Sequence, residues 1–183
     1  ALTSRTLALQ VVSLVAFSLL SIFLSPASIG IYIAVTAIMR IINFFTDFGF
    51  GAAIVQKKEE ILDEELATAF TLQSLVTLAI FLFFWFTQGQ FAQFFHLGIN
   101  GQQLLVVLIF TLFLSSFKTI PSVLLERHLK FDKLVIPQMV EAVVFNVIVV
   151  ILAFKGWGVA SYTWSTLAAA LAVLVRHGLE VYL

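Results

Sequence analysis

The chain has 183 residues, of which 61% are hydrophobic and only 11% are charged, and its formal net charge is zero. A soluble domain carries about 25% charged residues, so this composition excludes an ordinary soluble domain with one small core. The balanced charge gives no support for a nucleic-acid partner, and the absence of cysteine excludes disulfide and thiol chemistry.

Six apolar runs follow one another along the chain, and each is long enough to cross a bilayer, which takes about 20 helical residues. Backbone groups in lipid must be hydrogen-bonded within the protein, so all six runs are predicted to be α-helices. The predicted fold class is therefore an all-α polytopic membrane protein with six transmembrane helices. The predicted spans are 6–24, 29–55, 66–86, 104–125, 134–154 and 159–175.

The connections between these runs carry recognisable start and turn signals. In "SPAS", Ser25 is the predicted N-cap and Pro26 the first residue of the second helix. After the charged loop 56–65, Asp63 is the predicted N-cap of the third helix. The longest predicted connection covers residues 87–103, and "KGWG" at 155–158 predicts a tight turn.

Two of the spans contain residues that favour a bend. The second run is too long for one straight crossing, and Gly49 and Gly51 near its end predict a bend or a break there. Pro121 predicts a kink in the fourth span, because proline removes one helical hydrogen bond.

Lys and Arg are distributed unequally between the two ends of the predicted helices. Lys155 stands alone at one end, whereas the other end carries Arg5, Lys57, Lys58, Arg127, Lys130, Lys133 and Arg176. Basic residues favour the cytoplasmic side, so both termini are predicted to face the cytoplasm. The aromatic residues agree, because those expected to anchor the opposite interface are Trp85, Trp157, Tyr162 and Trp164.

The second span carries a polar stripe. Arg40, Asn43 and Asp47 stand at i, i+3 and i+7, which places them on one face of a helix. A charge at mid-span costs at least about 2.5–3.5 kcal/mol when it faces lipid. The stripe is therefore predicted to face the interior of a helix bundle or a watery cavity.

Two further charges lie inside predicted spans, Lys118 in the fourth and Glu141 in the fifth. At 1.5 Å per residue, Lys118, Glu141 and Asp47 each lie about 10–13 Å from the cytoplasmic end of their span, so either acid is a candidate partner for Lys118. Arg40 is deeper, about 24 Å from the end of its span, with no obvious acid in reach.

These positions allow functional and structural interpretations. Arg40 and Lys118 are candidate cleft cations that bind an anionic ligand, since a guanidinium suits phosphate oxygens. Asn43, Asp47 and Glu141 are candidate polar or ion-coupling groups of the same cleft. The alternatives are that Lys118 pairs structurally with an acid, that Asp47 is a local cap, and that Glu141 is an ion-pair partner or simply protonated.

Several catalytic signatures are absent from the chain. It has no G-x-x-x-x-G-K-[ST], no H-E-x-x-H and no G-x-S-x-G. His96, His128 and His177 fall outside the spans and far apart in sequence, so they are expected to be interfacial or solvated. We therefore expect no metal site, no cofactor and no enzymatic activity.

Four stretches resemble one family of membrane proteins. They are "SPASIGIY", "TDFGFGAAIVQKKE", "IPSVLLERHLKFDKL" with its P-x-x-L-L-x-R-x-L-x-F pattern, and "ILAFKGWGVASYTW". In order and spacing they are similar to the oligosaccharide flippases of the Wzx and teichuronic acid exporter type. These belong to the multidrug/oligosaccharidyl-lipid/polysaccharide exporter superfamily.

The resemblance implies a specific architecture and substrate. Residues 1–183 are expected to form the N-terminal six-helix lobe of a MATE-like exporter, and the missing initial Met also suggests a fragment. The implied partners are a second six-helix lobe of the same protein, membrane lipids and a lipid-linked oligosaccharide on undecaprenyl pyrophosphate. The polysaccharide polymerase machinery is a further candidate partner. The implied activity is ion-coupled alternating access in the bacterial inner membrane.

Three other functions are compatible with a six-span chain. A drug/cation antiporter of the same superfamily would favour an acidic cleft, whereas the deepest charge here is Arg40. An intramembrane transferase would need a convergent acid, base or metal set, and none is spaced suitably. A non-transporting membrane assembly subunit is the third alternative.

Overall fold

Every regular element that the computed structural model describes is an α-helix, and the described residues are 2–46, 62–127 and 131–182. This confirms the prediction of an all-α membrane protein in that part of the chain. The described helices are α1 (Leu2–Phe23), α2 (Pro26–Thr46), α3 (Asp63–Phe94), α4 (Gly98–Arg127), α5 (Phe131–Phe154) and α6 (Ala160–Tyr182).

Four of these helices are long and apolar enough to cross a membrane. Their apolar segments are Pro26–Phe44, Glu64–Phe94, Gly98–Lys118 and Ile136–Phe154. The other two helices contribute shorter apolar segments among the described residues, Gln10–Phe23 in α1 and Ala160–Leu174 in α6. Large side chains such as Phe44 and Phe86 are about four-fifths exposed, as expected of a protein whose outer surface is solvated by lipid.

Three short turns lie at the same end of the bundle, which we call the turn end: residues 24–25, 95–97 and 155–159. The predicted start of α2 is confirmed, because the backbone N–H of Ser28 donates to Ser25 Oγ at 3.2 Å and Pro26 is the first helical residue. The tight turn at "KGWG" is also confirmed. Gly156 and Gly158 adopt positive φ values of 81° and 55°, which glycine tolerates without strain.

The N-cap predicted for the third helix is wrong. Asp63 is the first helical residue of α3, and Leu62 occupies the cap position. The backbone N–H of Leu62 donates to the Glu65 carboxylate at 3.2 Å. The carboxylate three residues into the helix thus satisfies the cap N–H and lies near the positive end of the helix dipole.

The predicted connection 87–103 is also wrong, because α3 continues to Phe94 and α4 begins at Gly98. The glutamines in this stretch do not break the helices. Gln102 donates its amide N–H to Gln88 Oε1 at 3.0 Å and joins the ends of α3 and α4. With 32 residues, α3 is about 48 Å long and extends beyond a hydrocarbon layer of about 30 Å. The polar residues therefore mark where α3 leaves the lipid.

The residues predicted to bend the helices have different outcomes. Pro121 does not interrupt α4, which is helical from Gly98 to Arg127. A second proline, Pro137, lies inside α5. Membrane helices tolerate such residues when neighbouring groups satisfy the freed backbone carbonyl. Gly49 and Gly51 lie outside the described residues.

The helices pack around α4. Two antiparallel pairs, α3 with α4 and α5 with α6, follow from the short turns, and α4 also contacts α2 and α6. In contrast, α1 packs on α5 rather than on its sequence neighbour α2. The side chains of Leu104, Leu105 and Ile109 on α4 are fully buried at the centre of this arrangement. The separation of α1 from α2 leaves the bundle open between them.

Gly101 lies where α2 and α4 approach closely. A Cβ atom added there would lie 2.8 Å from Ile31 Cγ2 and 2.8 Å from Leu97 Cβ. Both of these atoms are within two bonds of the backbone, so they cannot move aside without moving the backbone that carries them. We therefore expect Gly101→Ala to lower the free energy of unfolding by about 1–3 kcal/mol.

Thermal unfolding in detergent measures this difference. Gly30 in α2 is the matched control, because a Cβ atom there would meet nothing within 4 Å. Gly30→Ala is expected to raise stability by about 0.5–1 kcal/mol, since alanine is the better helix former. Equal unfolding temperatures for the two variants would contradict the close approach of α2 and α4.

Candidate functional site

A cavity of about 590 Å³ lies between α1, α2, α4, α5 and α6. Its wall includes Phe17 from α1 and Leu108 from α4, so part of it is apolar. Most of the wall is apolar, but it also carries several polar side chains within a region enclosed by membrane-spanning helices. Polar groups at this depth are costly unless they contact each other, water or a ligand.

Helix α5 supplies three polar side chains to the cavity. Gln138, Glu141 and Asn146 stand at i, i+3 and i+8, which places all three on one side of the helix. The amide of Asn146 donates to the carbonyl oxygen of Ala142 at 2.8 Å, which satisfies one of its two N–H groups. The polar face of α5 is thus directed into the bundle rather than into lipid.

Two tyrosines from different helices meet at the cavity wall. The rings of Tyr32 on α2 and Tyr162 on α6 are stacked, with centroids 3.9 Å apart and planes 9° from parallel. Tyr162 is only 2% exposed, so its prediction as an interfacial anchor is wrong. It lies near the turn end, as expected, but packing against Tyr32 draws it into the bundle. The three tryptophans of that prediction are about half exposed.

Lys118 and Glu141 form an ion pair between α4 and α5. The Lys118 ammonium lies 3.2 Å from Glu141 Oε2, and the two side chains are 20% and 44% exposed. Of the two acids that the sequence offered to Lys118, Glu141 is the one that the described residues place in contact with it. Asp47 lies outside the described residues. Because Glu141 also lines the cavity, the ion pair lies at the cavity wall.

Arg40 and Asn43 are exposed on α2 and are not part of the cavity wall. Arg40 and Asn43 come 8 and 11 residues after Tyr32, which lines the cavity. They therefore lie about two and three turns further along α2, on the side of the helix that carries Tyr32. Counted from the turn end, Arg40 and Glu141 are both about 20 Å deep. No carboxylate among the described residues forms an ion pair with Arg40. Arg40 is thus at about the depth of Glu141 when both are counted from the turn end.

The sequence did not identify all of the cavity residues. Gln138 and Tyr32 were not singled out, although Gln138 precedes Glu141 by three residues and shares its face. That spacing is the signal that would have found it. The stacking of Tyr32 on Tyr162 has no counterpart in the sequence, because it joins two helices distant in the chain. Among the described residues, no group of three or more His, Cys, Asp or Glu side chains is placed to hold a metal ion.

Comparison with known proteins gives one positive result. A family model described as "Polysaccharide biosynthesis protein" matches residues 19–179, which include most of the cavity wall and the Lys118–Glu141 pair. Searches of curated proteins and of solved structures returned no match.

Proposed function

The chain belongs to this family of polysaccharide biosynthesis proteins, and on that premise we propose that it forms one lobe of a flippase. The proposed substrate is an oligosaccharide linked to undecaprenyl pyrophosphate, moved from the cytoplasmic to the outer leaflet of the bacterial inner membrane. The proposed mechanism is ion-coupled alternating access, in which this lobe and a second six-helix lobe rock around a shared cleft.

The observation that carries this proposal is the cavity within the membrane lobe and the polar side chains that line part of it. A scaffold that only packs helices together would gain stability from an apolar interior. Here the space between α1 and α2 is open, and an amide-rich face of α5 lines it. Such a surface suits a hydrated, hydroxyl-rich ligand that passes through a layer of lipid.

Arg40 supports an anionic substrate. Arg40 is exposed on α2, and no described carboxylate neutralises its guanidinium. The only acid at the cavity wall, among the described residues, is Glu141, which Lys118 already neutralises. A cleft with this balance favours a pyrophosphate or an acidic sugar over the cationic drugs that an acidic cleft would select.

Glu141 is the proposed coupling group. Protonation of its carboxyl, or capture of a cation by it, would weaken the contact with Lys118 and free the ammonium for the anionic substrate. Lys118 from α4 contacts Glu141, and the two cavity tyrosines line the same cavity. Opening and closing of this ion pair between α4 and α5 would then link the ion gradient to movement of the lobe.

Filling the cavity tests whether substrate passes along it. Ala142 lines the cavity, so Ala142→Trp in the full-length protein is expected to reduce polysaccharide export about tenfold, because the indole occupies space needed by the sugar rings. The measurement is surface polysaccharide in a strain that depends on this protein, with membrane levels determined by immunoblotting.

The neighbouring Val143 is the matched control. It is 44% exposed and is not part of the cavity wall, so Val143→Trp adds the same indole on another face of α5. Export near normal in Val143→Trp and strongly reduced in Ala142→Trp is the expected pattern. Normal export in both variants would remove the cavity from the substrate path.

A further inference from the structure

A second pocket, separate from the cavity, lies between α3, α4 and α6 near the turn end. Its volume is about 350 Å³. Helices α3 and α6 both pack on α4. The pocket is the space between α3 and α6, and α4 forms its floor. Its inner surface is apolar and includes Val106, Val107 and Leu167.

The rim of this pocket carries hydrogen-bond donors. The indoles of Trp85 and Trp164 are each about half exposed, and an indole N–H can only donate. Gln103 adds an amide at the same rim. No charged side chain is present among the described residues that line it.

Thr163, also at the pocket wall, differs from the other threonines whose side chains the structure describes. Eight threonines with described side chains donate their hydroxyl to a backbone carbonyl three or four residues earlier. Thr163 does not, although it is only 9% exposed, and its hydroxyl has no hydrogen-bond partner. A buried hydroxyl without a partner is unfavourable, and rotation of the Thr163 side chain toward the pocket would bring it to an acceptor there.

The level of the pocket fits the membrane interface. Gln103 lies about 8 Å along α4 from Gly98, and Trp164 lies about 6 Å along α6 from Ala160. Indoles concentrate where acyl chains meet lipid headgroups. The ester groups of glycerolipids lie at that boundary, and each ester carbonyl oxygen accepts hydrogen bonds.

We propose that this pocket binds one membrane glycerolipid. An acyl chain packs against Val106, Val107 and Leu167, and an ester carbonyl accepts a hydrogen bond from Thr163 with the rim indoles beside it. Because none of the described residues that line the pocket is charged, recognition is through the ester region rather than through the headgroup charge. The lipid fills the gap between α3 and α6, and this role does not depend on the function proposed for the cavity.

Photolabelling of the full-length protein tests the site. The protein is reconstituted in vesicles of phosphatidylethanolamine, a small fraction of which carries a diazirine in one acyl chain. After irradiation, mass spectrometry of peptides is expected to find labelling concentrated at Val106, Val107 and Leu167. Thr163→Val is expected to reduce that labelling about fivefold, the effect of one lost hydrogen bond. Ala160→Phe, which fills the pocket, is expected to abolish it.

The controls separate this site from ordinary lipid contact. Thr111→Val removes a hydroxyl that donates a hydrogen bond to the carbonyl oxygen of Leu108 within its own helix. Because this hydroxyl is not part of the pocket, labelling should be unchanged. Equal labelling at exposed positions such as Phe44 and Phe86, insensitive to Thr163→Val, would overturn the proposal in favour of annular lipid. Loss of labelling on addition of a soluble oligosaccharide would also overturn it, because the pocket would then prefer a sugar.

Discussion

Replacing Arg40 with alanine in the full-length protein is expected to reduce polysaccharide export about hundredfold or more, the loss typical when a desolvated charge pair loses one partner. The protein should still reach the membrane in near-normal amount, because Arg40 is exposed and no described carboxylate depends on it. Surface polysaccharide and membrane levels are the two measurements. The physical reason is that a guanidinium pairs with two oxygens of a phosphate at once.

Two companion variants define the role of Arg40. Arg40→Lys keeps the charge but loses the planar fork, so partial export is expected. Ile41→Ala changes an adjacent residue that is 61% exposed and should leave export intact. Normal export by Arg40→Ala would remove Arg40 from substrate binding. Loss of the protein from the membrane would instead assign it a structural role.

Breaking the Lys118–Glu141 pair is expected to lower the stability of the protein. Glu141→Gln leaves an ammonium between two membrane helices without its counter-charge. We expect the free energy of unfolding to fall by about 2 kcal/mol, less than for a fully buried pair because Glu141 is 44% exposed. Thermal unfolding of the full-length protein in detergent measures the change.

The double variant Lys118→Glu/Glu141→Lys exchanges the two charges and distinguishes the contribution of the pair to the free energy of unfolding from its role in ion-coupled export. It restores opposite charges across the same 3.2 Å contact, so most of the lost stability should return. If Glu141 is the coupling group, export should remain impaired, because the titratable carboxyl now lies on α4. An exchange that restores no stability would show that the two side chains do not depend on each other.

The sequence predicted the helices better than their ends. Hydropathy located all six runs, because lipid leaves the backbone no alternative to helical pairing. It placed the third run only to residue 86, whereas α3 continues to Phe94. Hydropathy reports where a helix leaves the lipid, whereas α3 ends at the turn 95–97, where His96 adopts a positive φ of 52°. The N-cap at Ser25 was predictable because it is formed by residues three apart.

The site was predictable only in part. Lys118 and Glu141 stood out because charges within apolar runs are rare, and the rise per residue placed them at one level. By its depth in the span, Asp47 was an equally good candidate partner for Lys118. Among the described residues, the packing of α4 on α5 brings Glu141 into contact with Lys118. Arg40 and Lys118, both predicted as cleft cations, are not brought into contact.

The sequence by itself determined that this is a helical membrane protein with charges that lipid would not tolerate, because composition and helical period act through local energetics. Only the tertiary structure decided that α1 packs on α5 rather than on α2, and this separation of α1 from α2 opens the cavity. The burial of Tyr162 against Tyr32 was likewise decided by the tertiary structure. These outcomes depend on contacts between helices distant in sequence, where side-chain shape rather than hydrophobicity selects the partner. The unpaired hydroxyl of Thr163 belongs to the same class, since nothing in the sequence distinguishes it from the eight threonines that bond within their own helices.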